Sequence, residues 1–237
     1  MYTAHPDYPP YQWQDGNNIV GASSDIMKLI LNELEIPYES RFVGPWVRVL
    51  ANVRAGSVDM VLALKKVPER QEYMTFTDTP FYQNPMAVFT VSGNQADYTQ
   101  WQDLRDKQVV VQRGDRYGQK FDAFMQQNLT PIIVDSAKSS FRMLQAGRAD
   151  FFITGLYPGR SYLAAAGLDE QFRALEPYIN SGFVHHAFSK KSPCQSLIPY
   201  INKRLRELMA DGTTARALEE NLQYWKKSRN TAQRQDD

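Results

Sequence analysis

The chain has 237 residues, enough for one large domain or two lobes of about 100 residues each. With 27 basic against 26 acidic residues, a net charge of +1 and no long basic cluster, it lacks the electrostatic surface that nucleic-acid binding requires. No apolar run reaches bilayer-spanning length, no basic start leads into an apolar stretch to form an export signal, and the single Cys194 rules out an internal disulfide.

In chain order, residues 25–34 carry Ile26, Leu29, Ile30 and Leu34 at helical spacing, with Ser23 or Ser24 placed to cap the start. The pattern recurs over residues 46–55 through Val47, Leu50 and Val53, and Gly56 supplies a stop. Asp59 then opens the apolar run Met60-Val61-Leu62-Ala63-Leu64, which reads as a buried strand, and Pro68 marks a turn that carries Arg70. Residues 86–91, bounded by Pro85 and Gly93, form a β-rich segment. Val109-Val110-Val111 and Phe151-Phe152-Ile153 read as buried strands of a second sheet. Residues 197–209 place Leu197, Ile201, Leu205 and Leu208 on one helix face, closed by Asp211-Gly212. A last helix passes through Ala217 and Leu222. Residues 226–237 lack core-forming side chains and are expected to be a disordered tail. Strands alternating with helices imply α/β layers with largely parallel pairing.

Arg70 stands at the end of a buried strand. Its guanidinium offers a fixed fork of donors that matches a carboxylate bidentately, where lysine is a mobile point charge. A lone arginine is more often a solvated surface charge, so the surrounding pattern decides. His185 and His186 are neighbours in a β-rich segment and point to opposite faces, so they do not chelate one metal in regular strand geometry. No histidine has metal-site spacing, and no Gly-x-Ser-x-Gly or phosphate loop occurs. No metal and no cofactor are expected.

The run Pro68-Glu69-Arg70 followed by Phe76-Thr77-Asp78-Thr79-Pro80-Phe81-Tyr82 resembles the bacterial periplasmic amino-acid-binding proteins, the family-3 extracellular solute-binding proteins of ABC importers. Further matching segments are Asp7-Tyr8-Pro9-Pro10-Tyr11 with Asp15-Gly16, the first helix from Asp25, Trp101 to Lys107 with Val109 to Gly114, Leu144 to Asp150, and Met209 to Thr213. The resemblance is to a divergent member and covers almost the whole chain. It implies a two-lobed periplasmic-binding-protein (type II) fold, each lobe a sheet flanked by helices, joined by two hinge strands. Lobe 1 is expected from residues 1–88 plus 188–225 and lobe 2 from 91–184. The β-rich stretches 87–92 and 183–189 are the expected crossing points.

The resemblance also implies a cleft that closes on a small carboxylate ligand, with Arg70 gripping the carboxylate and Tyr8 and Tyr11 walling the pocket. For both tyrosines plain core packing is the alternative. Backbone amides near Gly114 to Tyr117 are expected to add donors at a helix start. Amino-acid binders of the family carry an acid five residues after the aspartate of the Gly-Arg-x-Asp segment, to pair with the ligand ammonium. Here that position is Gly155, and no acid occurs from Phe151 to Leu168. Asp115, followed by Arg116, is the candidate substitute, with helix capping as its alternative role. The family's hydroxyl residues before the arginine are replaced by Lys65-Lys66, in a segment one residue shorter. If Lys65 joins Arg70, the pocket favours more negative ligands; both lysines being solvated is the alternative. His5 stands near the start, where the family can supply a polar cleft residue.

The function implied is periplasmic solute binding, of an amino acid or related organic acid, for ABC-type import. The expected partners are the ligand and a membrane permease, with no nucleic acid, and the protein is expected to be a monomer. Family members are exported, so the sequence is expected to begin after a cleavage point. The alternatives are a sensor domain acting on a membrane kinase or chemoreceptor and, further off, a dehydratase-like enzyme on the same fold. The latter needs a positioned acid that Leu156-Tyr157-Pro158-Gly159 does not provide.

Overall fold

The computed structural model describes residues 1–94 and 98–233. The described residues divide into two compact units, one made of Met1–Gln83 and Phe183–Trp225, the other of Asn84–Gly182 with residues 226–233.

The first unit begins with β1 (Tyr2–Thr3) and a small antiparallel sheet of β2 (Asp7–Tyr8), β3 (Gln12–Asp15) and β4 (Asn18–Val20). Helix α1 (Ala22–Glu33) follows. It starts three residues before the expected position, and Gly21, not Ser23 or Ser24, is its N-cap. The reason is steric. Gly21 sits at φ 115, and a Cβ there would lie 2.6 Å from the Tyr11 carbonyl oxygen, so only glycine lets the chain turn this close to β3. Helix α2 (Trp46–Ala55) ends at Gly56 in the left-handed conformation, φ 84, as expected. Next come β5 (Met60–Leu64), the short helix α3 (Pro68–Gln71), β6 (Met74–Phe76) and β7 (Tyr82–Gln83).

The second unit holds β8 (Met86–Val91), β9 (Val109–Gln112), α4 (Gln119–Asn128), β10 (Ile132–Val134), α5 (Ala137–Gln145), β11 (Phe151–Gly155), α6 (Leu156–Ala166) and β12 (Phe172–Asn180). Its sheet runs β10-β9-β11-β8-β12. Strict alternation splits the side chains between two faces. Met86, Val88, Val109, Val111, Phe151 and Ile153 pack with Phe121 of α4, while Ala87, Phe89, Val110 and Phe152 pack with Phe141 of α5 and Leu163 of α6. A sheet covered on both faces needs the near-continuous apolar strands that these are.

The chain returns to the first unit through β13 (Phe183–Ser189), α7 (Ile198–Ala210) and the part of α8 (Thr213–Gln233) up to Trp225. The first sheet runs β1-β5-β13-β6, with β7 on β13. One face packs on α1, α7 and the start of α8 through Ile26, Ile30, Ile201, Leu205 and Ala217; the other packs on α2 through Val49 and Val53.

Three expectations change. The divisions fall at Gln83/Asn84 and Gly182/Phe183, because β8 and β13, taken as crossing connections, are each laddered into the sheet of their own unit. Pairing is mixed, not largely parallel: β1–β5, β9–β10 and β9–β11 are parallel, but every ladder made by β8 or β13 is antiparallel. Finally, α8 continues through residues 226–233, which were expected to be disordered. Its buried Trp225 packs edge-on against Trp13, ring centroids 5.3 Å apart, and the Lys, Arg, Gln and Ala that follow are good helix formers. Residues 234–237 of the expected tail lie outside the described residues.

Candidate functional site

The candidate site is built around the end of β5. All five residues of this strand are buried, but they do not alternate to the end. Met60 and Leu62 face the α1/α7 side and Val61 the α2 side; Ala63 then faces the α1/α7 side again, and Leu64 the α2 side. The ladder to β13 records the same slip. Ala187 pairs with Val61 and Phe188 with Met60, yet His185 pairs with Leu64, so β5 carries one extra residue opposite His186. This is a β-bulge, with Ala63 at φ 40 in the left-handed region that favours glycine. Two side chains hold it. The Ala63 N–H donates to His186 Nδ1 at 3.3 Å, and Gln12 Nε2 donates to the Ala63 carbonyl at 3.1 Å. His186 is fully buried, its ring 4.5 Å from that of Phe81, and burial pushes its pKa down to about 3. An imidazole that accepts at Nδ1 and stays neutral carries its proton on Nε2.

Lys65, directly after β5, is 9% exposed, whereas Lys66 is exposed to solvent. Burial alone lowers the Lys65 pKa to about 7. Of the two readings of this pair, one lysine is therefore buried and one solvated.

Arg70 lies on α3, a single helical turn at the place where a Pro-marked turn was expected. Pro68 occupies its first position, where the missing N–H costs nothing. That turn brings Arg70 inward, to 3% exposure, while Pro68 and Glu69 stay exposed. The guanidinium Nη1 donates to the Lys65 carbonyl at 3.1 Å, and the group stands over the Trp46 ring at 5.3 Å. A cation over an indole face, tied to main chain five residues back, is fixed in place. His5 joins this wall. Its ring lies 5.0 Å from Trp46 and 5.2 Å from Tyr8, and its Nδ1 accepts from the Asp7 N–H at 3.0 Å. Burial, and secondarily the charge of Arg70, pushes its pKa down to about 3. His5 is thus a neutral ring beside a permanent cation.

The two tyrosines separate. Tyr8 is 8% exposed beside His5. Tyr11 is wholly buried, donates its hydroxyl to the Gln83 carbonyl at 2.7 Å and packs on Tyr82, so here core packing accounts for it.

In the second unit, the turn after β9 does not behave as expected. Helix α4 begins at Gln119 with Gly118 as N-cap, so Asp115 does not cap it. Two of the amides expected as ligand donors are already used. Asp115 N–H donates to the Gln112 carbonyl at 3.2 Å, and Tyr117 N–H to Asp122 Oδ1 at 2.9 Å. Arg116 Nη1 donates to the Asp115 carbonyl at 2.9 Å, and both residues are half-buried. Gly155, where an acid was sought, ends β11 and caps α6, and Asp150 accepts from the Gln108 N–H at 2.8 Å.

Sequence reasoning missed Trp46, Gln12 and the role of His186 in the bulge. Among the described residues, no group of three His, Cys, Asp or Glu can hold a metal, and no helix is long and apolar enough to cross a membrane.

Four similarities to known proteins bear on the fold and the family. A solved structure of the amino-acid ABC transporter substrate-binding protein AbpA from Streptococcus pneumoniae, bound to L-arginine, matches with TM-score 0.79 at 21% identity, covering 94% of each chain. The GluR0 ligand-binding core in complex with L-glutamate matches with TM-score 0.78 at 17% identity, over 94% of this chain and 97% of that one. Both show the two-lobed periplasmic-binding-protein fold. In sequence, the arginine-binding extracellular protein ArtP of Bacillus subtilis (strain 168) is 28% identical over 109 residues, 46% of this chain and 41% of ArtP, so the match spans less than half of that relative. The model of the bacterial extracellular solute-binding proteins, family 3, matches residues 2–223, and the chain belongs to that family.

Proposed function

We propose that this protein is a periplasmic receptor that binds a small carboxylate ligand, an amino acid or related organic acid, and delivers it to the permease of an ABC importer. The observation that carries this reading is the buried guanidinium of Arg70, held by the Lys65 carbonyl and the Trp46 ring. A fixed, desolvated fork of donors suits a carboxylate, and charge-assisted bidentate pairs are among the stronger polar contacts a protein makes. Arginine- and glutamate-binding relatives on the same fold support a ligand of amino-acid size.

A thermal-shift screen against amino acids, dicarboxylates, aromatic acids and small peptides tests the reading. A ligand at 100 times its Kd stabilises by about 2.7 kcal/mol, which is easily seen. Stabilisation by carboxylates, lost in Arg70→Met, is the expected result. Stabilisation that survives Arg70→Met would overturn it.

A further inference from the structure

The first unit also carries an open groove between the loop that joins β6 to β7 and the last turns of α7. Its volume is about 580 Å³, within the range of small-molecule sites, and Asp78, Thr79, Pro80, Arg206, Met209 and Ala210 line it. Met209 and Ala210 follow Arg206 at three and four residues, so all three share one face of α7. Met209 is 39% exposed, an apolar side chain with little cover, and Pro80 and Ala210 add to the apolar lining. The arginine is held in place. Its Nη1 donates to Thr79 Oγ1 at 3.0 Å. Thr79 is buried and tied twice to Asn202 of α7: its N–H donates to Oδ1 at 3.0 Å and its hydroxyl to the main-chain carbonyl at 3.1 Å. With its proton committed to that carbonyl, the hydroxyl can only accept from Arg206, and the rest of the guanidinium fork is left to meet an anion. Asp78 is exposed on the same groove. Among the described residues it forms no ion pair with Arg206, so an acid and a base line one apolar hollow without neutralising each other.

We infer that this groove is a second small-molecule site, one that takes a zwitterion with an apolar side chain, such as L-leucine. Arg206 takes the carboxylate, Asp78 the ammonium, and Pro80, Met209 and Ala210 the side chain. A plain carboxylate meets Asp78 as a like charge and a plain amine meets Arg206 in the same way, so each is disfavoured against the zwitterion. The flexible thioether of Met209 adapts to the apolar part. Water reaches both charged groups, which weakens their contacts, and an affinity of about millimolar is expected. Arg70 is not among the lining residues, so this site is separate from the carboxylate site proposed above.

Methyl NMR of the full chain, labelled at its methionines, tests this by following Met209 during titration with L-leucine, isocaproate (leucine without its amine) and isoamylamine (leucine without its carboxylate). The Met209 signal is assigned from its loss in Met209→Leu. A saturable shift with L-leucine is expected, with either analogue weaker by about tenfold. Arg206→Gln should weaken L-leucine by about tenfold and Asp78→Asn by about threefold. Both positions are exposed, so the melting temperature of each variant should stay near that of wild type. The shift should persist in Arg70→Met. No saturable shift, or an equal response to isocaproate, would overturn the inference. So would a shift that is lost in Arg70→Met and kept in Arg206→Gln, which would report the Arg70 site alone. The readout sits at Met209, so any of these failures leaves the function proposed above to its own screen.

Discussion

The wall around Arg70 in the first unit and the turn after β9 in the second differ in how their charges are held. Around Arg70 the ionisable groups are buried: Arg70 on a carbonyl and an indole ring, Lys65 just past the bulged strand, His5 neutral between two aromatic rings. In the turn, Asp115 and Arg116 are half-buried, and two of the amides that a ligand would want are bonded to Gln112 and Asp122. Desolvation strengthens a charge's grip on a ligand and raises the cost of leaving it unmatched. Ligand choice on this account resides mainly in the first unit, and the second contributes less per residue.

Substitutions on the two sides break or sharpen this contrast. The largest effect is expected from Arg70→Met, because truncating one partner of a buried, hydrogen-bonded charge pair costs about 2–5 kcal/mol. Ligand affinity should fall by about 100-fold or more by titration calorimetry, with melting of the unliganded protein retained. Next is acid. His5 and His186 have folded-state pKa values near 3, below the ordinary 6.5, so the unfolded chain binds more protons between those limits. Stability is full above about pH 6.5 and is lost as pH falls toward 3, by about 1.4 kcal/mol per pH unit for each histidine. Urea melts at pH 7 and pH 5 should show the loss, and His186→Asn, which keeps an acceptor for Ala63, should remove about half of it, His5 keeping the rest. A smaller effect, of opposite sign, is expected at the bulge. Ala63→Gly relieves about 1–2 kcal/mol of left-handed strain and gives back about 0.5–1 in chain entropy. The melting temperature should rise slightly with ligand preference unchanged; a fall would show that φ 40 is not strained there. The smallest effects belong to the turn. Asp115→Ala and Arg116→Ala should each change ligand affinity by less than about threefold, and a loss as large as that of Arg70→Met would erase the contrast between the units.

Much of this was legible in the residues themselves. The strand 60–64 and the Pro68-Glu69-Arg70 turn lie close in sequence, and proline and arginine have few roles at such a place. The aromatic support under Arg70 was not legible, since Trp46 is 24 positions away and reads as an ordinary apolar helix residue. The bulge was hidden for a different reason. Strand parity shows itself through polar residues on one face, and Met60 to Leu64 contains none, so an extra residue leaves no mark. Asp115 was misread as a possible cap because the helix start was placed too early; Gly118, with φ 114, delays it to Gln119. The tail was misread because helix formers without apolar partners resemble a disordered segment, and only the packing of Trp225 on Trp13 reveals its anchoring.

The most direct test of the central claim is titration calorimetry of the tightest-binding carboxylate from the screen against wild type, Arg70→Met and Arg70→Lys. The account predicts binding in wild type, none measurable in Arg70→Met and only a weak remnant in Arg70→Lys, because a point charge does not replace the bidentate fork. Equal affinity across the three proteins would contradict it, and the carboxylate would have to be held elsewhere.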